Sequence, residues 1–206
     1  MTTIVAIQGD GFVVVGSDTR ITSFDSTGSA YQYTNLGNGM SKVATKGKYL
    51  LGAAGDVRAI NILHHVFQPP PVAPTLRGKK LDAFVTGKLI PAIRQCFDAQ
   101  GYSAPEHGPD RTHRAEQDST IVVAVNGVAY FIENDYSWTS ESNGFYACGS
   151  GSDYALGALY CLASSKTLSM HQAKQAVIKS LAAAAKFDPG TGGPYHTFTQ
   201  QVSEKK

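Results

Sequence analysis

Chemistry is possible at the very start of this chain. In Met1-Thr2-Thr3-Ile4-Val5 a small residue follows the methionine, so ordinary methionine removal would leave Thr2 with a free α-amine beside its own hydroxyl. One residue then holds both nucleophile and base. An α-amine titrates near about 7.7–8.0, close enough to neutrality to accept the hydroxyl proton, and a threonine served by its own amine is a known route to an activated hydroxyl. The same residues also read as the ordinary beginning of a strand. A second candidate is Gly149-Ser150-Gly151-Ser152. Alone it is equally a flexible turn or an anion-binding helix start, and its spacing is not that of a GxSxG nucleophile elbow. Cys96, Cys148 and Cys161 are widely spaced, with neither CxxC nor a Cys/His cluster. That pattern predicts a reduced, intracellular (cytoplasmic) chain without a cysteine metal site. No cofactor is expected.

The elements that must position these residues follow from periodicity. Residues 3–9 and 12–17 are β-branched runs around Gly9-Asp10-Gly11, which predicts an opening hairpin. Residues 22–40, rich in Ser, Thr, Gly, Asn and Tyr, predict a long loop or ragged strand pair. Residues 42–45 and 49–54 make a further strand pair around Lys46-Gly47-Lys48. From Asp56 the apolar spacing turns helical through Ala59, Ile60, Leu63 and Phe67, until Pro69-Pro70-Pro71 stops it. A second helix is predicted from about Leu81 to Gln100, interrupted only by Pro91. Residues 101–117 predict a polar surface loop. Then come strands at 120–125 and 128–132 around Asn126-Gly127, a strand near 144–148, helices over 153–165 and 170–186, and a terminal strand near 195–202.

At 206 residues the chain fits one domain, spanning 1–206, and is long enough to bury a core without disulfides or metals. A composition 42% hydrophobic and 17% charged is that of a soluble globular protein. No apolar run approaches the roughly 20 residues that span a bilayer. The N-terminus lacks the basic and apolar regions of a secretory signal. A net charge of +2 gives no electrostatic argument for nucleic acid. Strands in two blocks, each followed by a helix pair, suit two stacked antiparallel sheets with helices on both outer sides, an α+β fold of αββα layers.

Four separated blocks (the opening to Arg20, 41–55, 147–152 and 188–193), in order and spanning nearly the whole chain, carry a resemblance to a known family. The opening TTIVAI with Gly16-Ser17-Asp18-Thr19-Arg20 resembles the start of proteasome β subunits and of the HslV-type bacterial peptidase. Ser41-Lys42-Val43 resembles that family's lysine followed by a β-branched residue. Gly52-Ala53-Ala54-Gly55 is similar to its glycine-rich strand-to-helix junction, and also reads as a strand end capped by Asp56. Ala147-Cys148-Gly149-Ser150-Gly151-Ser152 resembles its GSG segment before a helix. Asp188-Pro189-Gly190-Thr191-Gly192-Gly193 resembles its Asp-x-x-Ser-Gly-Gly element, with Thr191 in place of serine.

The resemblance implies an N-terminal-nucleophile hydrolase fold and hydrolysis of peptide bonds by Thr2. Asp18 and Lys42 would then serve as the aspartate and lysine of the site, and Gly55 as a backbone oxyanion donor. Ser150, Asp188 and Thr191 would support Thr2 and its amine. Lys46 and Lys48 read as the solvated turn. The resemblance also implies assembly into rings, a peptide or unfolded polypeptide substrate and an ATP-dependent unfoldase as partner. Three features depart from the family. The stretch between Asp18 and Lys42 is longer than usual, Asp56 stands where a second glycine is common, and the loops at 68–80 and 101–117 look private to this chain. Negative charge could build beside Asp56 only if its carboxylate points away or is paired. Two alternatives use the same fold: a non-catalytic structural or assembly subunit, or an amidase acting on small molecules.

Overall fold

The structure, a computed structural model, describes residues 1–24, 27, 30–37, 39–103, 116–163 and 167–202. β1 (Thr3–Gly9) and β2 (Phe12–Ser17) form the opening hairpin, with Gly9 opposite Phe12 and Gly11 at a positive φ of 71° in the turn. Among the described residues β3 (Arg20–Phe24) and β4 (Ala30–Asn35) pair only with each other, so the stretch expected as a loop or ragged strand pair contains a two-stranded ribbon. β5 (Val43–Lys46) and β6 (Tyr49–Gly55) follow. β7 (Ser119–Val125) turns into β8 (Val128–Ile132) through Asn126-Gly127, where both residues take positive φ as a tight two-residue turn requires. β9 (Trp138–Thr139) is a short strand that the sequence pattern did not indicate. β10 (Phe145–Gly149) and β11 (His196–Gln201) complete the set.

Two antiparallel sheets result, in the orders β10-β1-β2-β11 and β5-β6-β7-β8-β9. Each sheet draws strands from both halves of the chain. Side chains alternate across a strand, and here both faces are covered. Ile4, Ala6, Val13 and Val15 meet Val43, Leu50, Val122 and Ala124 between the sheets. The alternate residues Val5, Ile7 and Val14 point outward to α4 (Ser152–Ala163) and α5 (Met170–Phe187). On the far side Leu51, Ala53, Ile121 and Val123 pack on α1 (Val57–His65), α2 (Gly78–Phe84) and α3 (Ile90–Ala99). The four layers are those expected, and the two-sided burial explains why β1 and β2 read as almost unbroken apolar runs.

The second predicted helix begins earlier than expected and is not continuous. A π turn, Val85–Leu89, joins α2 to α3, and the Ile90 N–H donates to the Val85 carbonyl. Pro91 has no N–H for the turn before it, so the ladder widens there. Of the polar loop expected at 101–117, residues 104–115 lie outside the described residues. α4 stops at Ala163, and residues 164 and 165 of the predicted helix also lie outside them. Among the described residues no helix is long and apolar enough to cross a membrane.

Candidate active site

β1 places Thr2 one residue before its first paired position, Thr3, which lies opposite Gly149 of β10. The Thr2 carbonyl accepts the Ser150 N–H at 2.9 Å. Gly149 has φ of 93°, and a Cβ there would run into that same carbonyl. Only glycine lets the β10–α4 turn approach the start of β1 so closely. Thr2 is 2% exposed, and its Oγ1 donates to the Met1 carbonyl at 2.8 Å. Met1 itself is 40% exposed, with its side chain lying over Gly190.

Asp18 and Lys42 form a fully buried ion pair beside Thr2, with Nζ and Oδ1 2.7 Å apart. Burying two charges is costly unless every remaining polar position is filled. Here they are filled. Asp18 Oδ1 also accepts the Thr3 N–H at 2.9 Å, while Oδ2 accepts the N–H groups of Arg20 and Gly192, each at 3.1 Å. Lys42 Nζ donates as well to the Arg20 carbonyl at 2.5 Å and the Met1 carbonyl at 3.3 Å. Burial lowers the Lys42 pKa from its ordinary value, against the attraction of Asp18. Burial, and after it the Lys42 charge, also lowers the α-amine of Met1 from its ordinary 8.0.

Asp188 sits on the other side, just past the end of α5, and is 6% exposed. Its Oδ2 accepts the hydroxyls of Ser150 at 2.7 Å and Thr191 at 2.5 Å, and its Oδ1 accepts the Gly190 N–H at 3.0 Å. Thr191 Oγ1 lies 2.5 Å from Thr3 Oγ1, which in turn accepts the Gly151 N–H at 3.1 Å. The structure thus brings Thr2, Asp18, Lys42, Ser150, Asp188 and Thr191 into one cluster from five separated stretches of chain.

Gly55 stands apart from this hydrogen-bonded cluster. It ends β6 opposite Ser119 with φ of 137°, and a Cβ there would meet the Asp118 carbonyl. Its neighbour Ala54 reaches to within 3.4 Å of the Cβ position of Gly149, so the strand end borders the Thr2 wall. The Asp56 carboxylate caps α1, accepting the Arg58 N–H at 2.8 Å. Lys46 and Lys48 lie in the β5–β6 turn, where Lys48 bonds the Val72 carbonyl at 3.4 Å.

Sequence reasoning missed Thr3, Gly151, Gly192 and the Arg20 carbonyl as members of the cluster. Thr3 had a signal: it is the one hydroxyl inside the apolar run Thr3–Ile7 and is fully buried, and a buried hydroxyl needs partners. The other three act through backbone atoms that no side-chain pattern marks. A cavity of about 620 Å³ lies at the opposite end of β1, lined by Ile7, Asp10, Asn143, Phe145 and Tyr160, and none of the cluster faces it.

No family model matches this sequence, and no curated protein matches it. Solved structures do match in shape. Thiobacillus denitrificans BPH is 20% identical, with 99% of this chain and 100% of that chain covered at a TM-score of 0.72. Thiobacillus denitrificans BPH in complex with epoxomicin gives 20% identity, 98% and 100% coverage and a TM-score of 0.71. Eukaryotic HslV from Trypanosoma brucei gives 15%, 97% and 99%, and 0.62. The chain has the proteasome/HslV-type αββα fold.

Proposed function

We propose that the chain is a threonine-type peptidase subunit whose nucleophile is Thr2 once Met1 has been removed. One observation carries the reading: the Thr2 hydroxyl and the Lys42 ammonium share a single acceptor, the Met1 carbonyl. That acceptor leaves with Met1. Thr2 then gains a free amine, and hydroxyl and ammonium each lose the partner that occupied them.

In the proposed reaction the Thr2 amine takes the hydroxyl proton while Oγ1 attacks the substrate carbonyl carbon, and the carbonyl π electrons move to oxygen. The Lys42 charge stabilises alkoxide character on Oγ1, and the Gly55 N–H is assigned to the developing oxyanion. Collapse breaks the C–N bond, and the Thr2 ammonium hands its proton to the leaving nitrogen. An ester on Thr2 remains. Water, deprotonated by the same amine, attacks that ester, and the acid product departs with Oγ1 reprotonated. Ser150 and Thr191 have committed their protons to Asp188, so Ser150 Oγ presents lone pairs suited to receive an ammonium N–H.

We assign the chain, on its fold, to ring-forming subunits that take unfolded polypeptide, with an ATP-dependent unfoldase as partner and a cytoplasmic location. If Met1 is retained, the Met1 carbonyl keeps both groups occupied, and a structural subunit is the reading that remains. Intact mass separates the two. The processed chain is expected to lack one methionine, to hydrolyse an unfolded protein, and to gain a covalent adduct with epoxomicin, the compound in the Thiobacillus structure. Thr2→Ala should show neither hydrolysis nor the adduct. Hydrolysis by Thr2→Ala would defeat the proposal, and hydrolysis of small amides alone would point to the amidase.

A further inference from the structure

We propose that Thr3 is a positioning residue, whose hydroxyl sets the place of Thr2 through a hydrogen-bond chain of fixed direction. The inference rests on Thr2 being the nucleophile. Asp188 as a carboxylate can only accept, so the Thr191 hydroxyl proton is committed to Asp188 Oδ2 at 2.5 Å. A hydroxyl has one proton. The 2.5 Å contact between Thr3 and Thr191 therefore runs one way, with Thr3 Oγ1 donating and Thr191 Oγ1 accepting. Thr3 Oγ1 completes its set by accepting the Gly151 N–H at 3.1 Å. The chain reads Gly151 N–H to Thr3, Thr3 to Thr191, and Thr191 to Asp188, where it meets the Ser150 hydroxyl arriving from the other side.

This chain joins two loops, the β10–α4 turn and the segment after α5, to the first paired residue of β1. On its backbone side Thr3 donates its N–H to Asp18 Oδ1, the oxygen that also binds Lys42. Thr3 is therefore linked to Asp18 directly and to Asp188 through Thr191. The Thr2 carbonyl is held by the adjacent Ser150 N–H, so the rest of the Thr2 placement comes through Thr3. Thr3 is 0% exposed and touches no substrate. Space is also matched: a Cβ on Gly151 would meet both Thr3 Oγ1 and Thr191 Oγ1. A hydroxyl on a β-branched frame fits the position, and a methyl in place of the hydroxyl removes both bonds without changing the shape.

The test compares processed wild type, Thr3→Val, Thr3→Ser and Thr2→Ala on one fluorogenic peptide, with kcat and KM measured separately. Thr3→Val should lower kcat by about 10–100-fold, the cost of a slightly misplaced reacting group, with KM unchanged. Thr3→Ser keeps the hydroxyl and should recover most of the rate. Should Thr3→Val fail to fold, Thr3→Ala is read in the same way. Wild-type kcat in the variant lacking the hydroxyl overturns the proposal, and so does a Thr3→Ser rate as low as that of Thr3→Val. Activity surviving in Thr2→Ala, or absent from the processed wild type, overturns the underlying reading instead. Activity lost in Thr2→Ala but intact in Thr3→Val removes only the role of Thr3.

Discussion

Two buried carboxylates flank the start of β1, and they are satisfied in opposite ways. Asp18 is neutralised by one ammonium, with three backbone N–H groups filling its remaining positions. Among the described residues no cation is bonded to Asp188, which is held by two hydroxyls and one backbone N–H. The difference separates an electrostatic device from a positional one. Charge on Lys42 acts on any proton held near Thr2, whereas the hydroxyls around Asp188 carry no net charge and work by orientation. Disturbing the first arm should change the chemistry itself, and disturbing the second should change how well the reacting atoms are placed.

The largest expected effect tests the charged arm. Lys42→Ala should lower kcat by about 10²–10⁴-fold, the scale of losing a proton-transfer or charge-stabilising group. Steady-state hydrolysis by the processed protein checks this, and a loss no greater than that of an Asp188 variant would erase the contrast. The fold should survive, because Asp18 keeps its three backbone donors when the ammonium is gone. Asp18→Asn removes the opposite charge and leaves the buried lysine unpaired. It is expected to cost about 3–5 kcal/mol of stability, the usual penalty for breaking a buried ion pair, in chemical denaturation.

Asp188→Asn should be milder in rate, about 10–100-fold in kcat, since it disturbs supporting hydrogen bonds and not a charge beside Thr2. A larger loss than for Lys42→Ala would reverse the assignment of the two arms. The pH dependence sharpens the comparison further. The Lys42 charge beside Thr2 disfavours protonation of the amine that methionine removal would expose, and in the proposed reaction that amine is a base only when unprotonated. The rate should therefore be full at high pH and fall as pH drops through a midpoint below about 8, the ordinary value. A profile of kcat/KM against pH reads this directly, and a midpoint above the ordinary value would contradict it. The smallest effect is expected from Lys46→Ala and Lys48→Ala in the β5–β6 turn, where activity and stability should stay close to wild type, within about 0.5 kcal/mol.

Much of this was legible in the residues. The β-branched runs at 3–9 and 12–17, the Asn126-Gly127 turn and the spacing of Ala59, Ile60 and Leu63 report local geometry, and the elements follow them closely. Pro91 signalled an interruption but not its form, because whether a helix kinks or widens into a π turn depends on what its faces pack against. Thr2, Asp18, Lys42, Ser150, Asp188 and Thr191 were readable as candidates because their side chains carry the chemistry. Gly192, Gly151 and the Arg20 carbonyl were not, since a backbone donor or acceptor has the same identity at almost every position.

By itself the sequence determined the order of strands and helices, the layered class and the chemical types available near Thr2. Tertiary structure alone decided that β1 lies between β2 and β10, that Gly149 faces Thr3 across the ladder, and that Thr3 and Thr191 meet although 188 residues separate them. Periodicity encodes which face of an element is buried, within a few residues of each position. Partner choice between distant strands, and the direction of a hydrogen bond between two hydroxyls, exist only once the sheets have stacked.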